Sequence, residues 1–269
     1  MNSVCRSSRW VVLGLLLLAP LASAKIVAKH VWMSLPSGQR VLIDWGLGEL
    51  VATGQAVPPT NATTPGQKQL LARRGAVLDA QRNLLEALEG VQVSSDSTMV
   101  NFMANDVVRT QVEGAVLAAV VTSESWDPTS EIYTVEMTMP LQPVRAIAVP
   151  AEQGPLTPSE GAPTGIVINL RGLDAVPSLT FNIYTADGAL VVSGASGFYV
   201  AVTATSDPND VADALSDARV ADDPFVVKAE AVAPNRIDVI VDPQAAQLLR
   251  EYFAARDYLG EGRVLIVVD

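Results

Sequence analysis

Cysteine and histidine are almost missing from this chain: its 269 residues include one Cys, Cys5, and one His, His30. Cys5 lies in an N-terminal stretch with basic Arg6 and Arg9, an apolar run from Trp10 to Leu18 and the small-residue triplet Ala22-Ser23-Ala24. That is the pattern of a secretory leader cut after Ala24, so residues 1–24 are expected to be a signal peptide and the trimmed chain to be periplasmic, with outer-membrane association left open. A trimmed chain holds no thiol, which excludes a disulfide framework, a thiolate nucleophile and a Cys-ligated metal. Cys5 precedes the apolar run instead of following the cut, so it cannot become the acylated first residue of a lipoprotein. A single His excludes a His-cluster zinc site, and a Ser-His-Asp triad would require His30 to swing in from beside the new N-terminus. A surface position is the ordinary expectation for it.

Long apolar runs are lacking too. After the leader nothing approaches about 18 uninterrupted apolar residues, so no transmembrane segment is expected in the mature chain. P-loop, G-x-G-x-x-G, G-x-S-x-G and H-E-x-x-H patterns are absent. Positive charge is scarce: 18 Lys and Arg face 29 Asp and Glu, a net charge of −11, and removing Arg6 and Arg9 with the leader takes it to −13. An acidic surface argues against nucleic acid and against docking on anionic lipid, and keeps the chain soluble.

What is present is length enough for two cores and a break between them. Residues 149–164, VPAEQGPLTPSEGAPT, carry four prolines among small and polar residues and read as an extended linker. The expected organisation is a leader (1–24), a first domain (25–148), the Pro-rich linker (149–164) and a C-terminal domain (165–269). Both domains read as mixed helix and sheet, α+β or α/β.

In the first domain, 41–53 reads as two short strands around Gly46-Leu47-Gly48. Residues 67–89 carry apolar positions at 70, 71, 77, 78, 84, 85 and 88, the double stripe of an amphipathic helix that Gly90 stops. Burial of six or seven such side chains would contribute on the order of 1.5–3 kcal/mol each before entropy. Strands are expected at 91–100, 115–125 and 131–141. In the second domain strands are expected at 165–170, 179–185, 189–192, 198–203, 224–232, 236–241 and 263–268, with a hairpin at Asp187-Gly188. Helices are expected from Ser206-Asp207-Pro208 to Ala218 and from Asp242-Pro243 to Arg256.

Candidate chemistry is thin. Asp207, Asn209, Asp210 and Asp213 invite a calcium loop, but the sixth and twelfth positions are Ala212 and Ala218 where Gly and Glu are needed, so acids favoured at a helix start account for them. Asp222-Asp223 before Pro224 reads as a turn, and paired carboxylates without geometry are weak grounds for a hydrolase. Arg73, Arg74 and Arg82 could grip an anion, although pairing with Asp79 and Glu86 is the ordinary account. Asn61-Ala62-Thr63 matches a glycan sequon. No catalytic, cofactor-binding or metal-ligating residue is assigned, and no cofactor is expected.

Asp44-Trp45, Gly54, Pro58-Pro59, Ala72-Arg73-Arg74-Gly75-Ala76, the run from Asp79 to Glu86, Gly90-Val91, Val112-Glu113-Gly114, Ala119-Val120-Val121 and Tyr133-Thr134-Val135-Glu136 form an ordered set. Over residues 40–145 this set resembles the bacterial envelope lipoprotein family of about twenty kilodaltons, which includes domains of FlgP- and FlgT-like flagellar ring proteins. The segment from Ile168 to Leu173 and Ala186-Asp187-Gly188 look like a companion domain that follows the module in some members. The resemblance implies a non-enzymatic domain that oligomerises with itself or decorates an envelope or flagellar assembly. The chain departs from that pattern in lacking a lipobox Cys. The expectation is therefore a structural or assembly protein. The alternative is a binding module for a small ligand or peptide at the inter-domain cleft, and a carboxylate hydrolase comes third.

Overall fold

The computed structural model describes residues 26–148, 161–202, 207, 209–220 and 222–269. The leader and residues 149–160 of the Pro-rich segment lie outside them. Helices and strands mix throughout, in several sheets, so the fold is α+β.

The first half runs β1 (Ile26–Ala28), β2 (His30–Ser34), β3 (Arg40–Asp44), β4 (Glu49–Ala56), α1 (Pro65–Glu89), β5 (Gln92–Ser94), β6 (Ser97–Thr98), α2 (Met99–Phe102), α3 (Asp106–Leu117), β7 (Val120–Asp127), β8 (Ile132–Pro140) and α4 (Gln142–Ala148). Strands β2-β3-β4-β8-β7 form one antiparallel sheet. Alternation decides its faces: Tyr133, Val135, Met137 and Met139 of β8 are buried, while Thr134, Glu136 and Thr138 between them reach solvent.

Helix α1 lies on the apolar face, against β4 and β8. Thr64 starts it with a capping box, accepting from Gln67 N while Gln67 Oε1 accepts from Thr64 N, and Pro65 fills the first turn. Of the expected apolar stripe, Leu84 and Leu88 are buried and Val77 and Leu85 pack half-buried against the core. Leu70, Leu71 and Leu78 face outward, and Ala72, Ala76 and Ala80 face the sheet instead. The cause is close approach. A Cβ on Gly54 of β4 would collide with the Ala76 carbonyl oxygen and the Ala80 amide nitrogen, so only small residues fit where helix and strand meet. Asn83, also buried, donates from Nδ2 to Thr53 O at 2.8 Å.

Two strand expectations fail here. Residues 91–100 form the short pair β5–β6 and the start of α2, and β7 begins only at Val120 because α3 occupies 106–117. The helix takes the first three residues of the strand expected from Ala115: Asn105 accepts from Val107 N and Val108 N at its start, and Val112 and Val116 are buried one turn apart.

The second half runs β9 (Ile166–Asn169), β10 (Phe181–Thr185), β11 (Leu190–Ala195), β12 (Phe198–Val202), α5 (Ala212–Leu215), β13 (Phe225–Lys228), β14 (Ala231–Val232), β15 (Val239–Val241), α6 (Pro243–Ala255) and β16 (Val264–Val268). Strands β12-β16-β9-β13 are parallel, and every residue of β9 and β16 is buried, as expected of parallel strands covered on both faces. A second sheet has the order β11-β10-β15-β14, with Gly188 at φ 84° turning β10 into β11. Helix α5 is far shorter than expected. Asp207, Asp210 and Asp217 turn their carboxylates onto the amides of Asn209, Ala212 and Arg219, local bonds that compete with the helical ladder.

The two halves interlock. Strand β1, from the first segment, adds antiparallel to the edge of the second segment's sheet, pairing Ile26 with Val202 and Ala28 with Val200. Three further backbone bonds continue the join: Lys29 N to Tyr199 O, Tyr199 N to Trp45 O, and Trp45 N to Lys29 O, at 3.0–3.2 Å. Elsewhere Leu179 N and Thr180 N donate to the carbonyls of Gln92 and Val93.

Gly54→Ala is expected to destabilise the protein by about 1–3 kcal/mol, because the added methyl meets backbone that cannot move aside. Thermal unfolding should show a drop of about 2–4 °C per kcal/mol, whereas Gly66→Ala, whose added methyl would meet open space, should unfold close to the parent temperature.

Candidate functional site: the cleft between the halves

Where the halves meet, a cavity of about 300 Å³ opens, lined by residues of both. Trp45, Leu47, Pro140 and Leu141 come from the first half, and Leu179, Phe198, Leu259 and Val264 from the second. Phe198 is gripped by both: Cβ atoms on Gly48 and Gly262 would stand 3.1 and 3.3 Å from its ring, and both glycines have positive φ. These turns bring backbone against an aromatic face that any larger residue would push away. Trp45 meets Tyr199 edge-on, with ring centroids 5.7 Å apart. Gly46 packs so closely that a Cβ there would lie 2.5 Å from Ala28 Cβ.

Charged groups sit among these apolar walls. Arg145, on α4, is partly buried and donates from Nη1 to Ser196 Oγ. Burial pulls its guanidinium pKa down, and the charge of Asp257 acts in the opposite sense. Glu261 is bound by two guanidinium groups, Arg256 at 2.5 Å and Arg263 at 3.0 Å, which hold its carboxyl below the usual range. Glu49, at the start of β4, also lines the cavity; its backbone is in the ladder with β3 and β8, and among the described residues its carboxylate has no hydrogen bond or ion pair.

A polar latch closes one side. Arg219 stacks its guanidinium 4.6 Å from the Phe198 ring centre and donates from Nη1 to Gly46 O at 2.6 Å, across the join. Asp217 holds it in place, accepting from Nε at 2.9 Å and Nη2 at 2.7 Å. These hydrogen bonds from Arg219 lower the Asp217 pKa more than burial raises it.

The residues singled out from sequence lie elsewhere. His30, on β2, is half exposed and hydrogen-bonded to buried Asp44 at 2.9 Å. Arg73 pairs with Glu124 on β7 at 2.7 Å instead of a neighbour on its own helix, and Arg82 pairs with Asp79 at 2.8 Å instead of Glu86. The carbonyls of Asp207 and Asp210 accept from Arg171 Nη1, while the side chain of Asp213 belongs to α5. Asp222 has φ 88° in a turn, where Asp223 N donates to Thr164 Oγ1. Asn61 is exposed before α1. Among the described residues no group of three or more His, Cys, Asp or Glu could hold a metal ion, and no helix is long and apolar enough to cross a membrane. Sequence reasoning missed Arg145, Ser196, Phe198 and Glu49, which are scattered over some 150 positions and share no spacing.

Because the folded Asp217 pKa is depressed, its contribution is complete above the ordinary carboxylate value, about 3.9, and disappears as pH falls through the lower folded value. Asp217→Asn should therefore melt below the parent at pH 6–7, and the two should converge only once the pH has fallen below the depressed folded value of Asp217.

A family model described as the second domain of Treponema pallidum Tp0624 matches residues 165–269. No curated protein matches the chain at a significant level. The C-terminal half of this chain, from the first strand of its parallel sheet to the last, is thus similar to the second domain of that treponemal protein.

Proposed function

We propose that the chain is a non-enzymatic periplasmic protein with a structural or assembly role, exported by a leader cut after Ala24 and built into a ring-like or outer-membrane-associated envelope assembly, as the resemblance over residues 40–145 implies. The observation that carries this reading is the outward face of α1. Leu70 and Leu78, 65 % and 66 % exposed, stand on either side of exposed Arg74, with Leu71 beside them. Outward leucines on a long, well-capped helix are a surface suited to a partner. The partner this reading commits to is a second copy. The patch is apolar and basic, whereas the chain as a whole is strongly acidic, so it complements another part of the same surface better than it complements itself. Such head-to-tail contacts build rings where the rotation between copies closes, and open filaments where it does not. Interlocking of the halves supports the same role, since a unit that transmits position from neighbour to neighbour must not bend at its middle.

The second reading, a binding module, is favoured by the cavity between the halves, which has apolar walls, few polar groups and a volume at the lower end of small-molecule sites.

Sedimentation of the trimmed chain should show concentration-dependent self-association that weakens as salt screens the charges. Leu78→Glu should abolish it with little change in melting temperature. A chain that stays monomeric at all concentrations, with Leu78→Glu indistinguishable from the parent, would overturn the reading.

A further inference from the structure

The inference drawn here rests on the cleft as a ligand site and names what the cleft would take. Two charges in it lack a counter-charge at contact distance. Arg145 bonds Ser196 through Nη1 and feels the charge of Asp257, but among the described residues no carboxylate lies within ion-pair distance of it. Glu49 lines the same cavity, and no described cation lies within ion-pair distance of it. The two line the same cavity and form no ion pair with each other. The remaining carboxylate, Glu261, is already committed to Arg256 and Arg263.

Each simple ligand class leaves something unsatisfied. An apolar neutral ligand would cover Arg145 and Glu49 with hydrocarbon and strip both of water, an expensive outcome for unpaired ions. A plain anion would suit Arg145 but face Glu49, and a plain cation would do the reverse. A small molecule with a carboxylate at one end, an ammonium at the other and an apolar body between them satisfies all three features at once. The planar guanidinium fork suits a carboxylate, and the walls of Trp45, Leu141, Leu179 and Phe198 suit an aliphatic side chain. We propose that the cleft binds a small apolar zwitterion, a short apolar peptide, with its carboxylate on Arg145 and its ammonium on Glu49.

Calorimetry on the full trimmed chain tests this with leucyl-leucine, its N-acetyl form, its C-terminal amide and octanoate as probes. Leucyl-leucine should bind tightest, and capping either end should weaken binding about ten- to a hundredfold, the usual cost of one charge-assisted contact. Glu49→Gln should erase the discrimination against the N-acetyl form while keeping that against the amide, and Arg145→Gln should do the opposite. A purely structural role for either residue would not produce this crossed pattern. If Arg145→Gln fails to fold, the Glu49→Gln arm alone decides. Equal or tighter binding of octanoate or a capped dipeptide at the cleft would overturn the zwitterion proposal and leave a ligand site standing. No binding by any probe would remove both.

Discussion

The backbone join between β1 and β12 is the constraint on which the rest of this structure depends. Strand β12 sits beside β16 in a parallel sheet, and its free edge would otherwise present a row of unpaired donors and acceptors. Three residues from the start of the described chain cover that edge, and the bonds through Lys29, Trp45 and Tyr199 continue the pairing into the first sheet. Gly46 is what lets the two backbones come this close. Tyr199, buried at the centre of the join, has its phenol pKa pushed up by burial and keeps its hydroxyl near Ser178. With the halves held at this point, the cleft has walls from both, and Arg219 can reach Gly46 while stacking on Phe198.

Small residues do comparable work inside the first half. Helix α1 approaches β4 closely enough that Gly54, Ala76 and Ala80 leave no room for a methyl group. Dispersion contacts at that distance replace the leucine-to-sheet packing that a wider gap would need. The leucines at 70, 71 and 78 are thereby released to the outside. Tight packing on one side of a helix thus determines what its other side offers.

The cleft has a different character from the outward face of α1. One aromatic ring in its lining is clamped between two glycine turns, and its charges are of both signs and only partly paired within the protein. Residues kept in that state are supported by the packing around them. Ser196 holds Arg145, and the pairing of β4 with β8 places Glu49 opposite Pro140 at the rim. An assembly role and a ligand site are compatible here, because the face of α1 that reaches outward and the cavity at the join use different residues.

Short-range chemistry was legible from the sequence alone. The Asp242-Pro243 helix start, the Asp187-Gly188 hairpin and the strand at 131–141 each depend on residues a few positions apart, and each stands in the structure as its pattern implies. Composition misled where two conformations compete for the same residues: the strand expected from Ala115 has its first three residues in α3, and the Asp-rich stretch before Ala218 reads as helix. In both, a few side-chain bonds to the backbone decided the outcome. Which face of α1 turns inward was beyond the pattern, since it depends on a glycine on another strand. The candidate site was beyond it altogether. Arg145, Ser196, Glu49 and Phe198 have no shared spacing and become neighbours only when the sheets pair across the join, so their chemistry belongs to the tertiary structure.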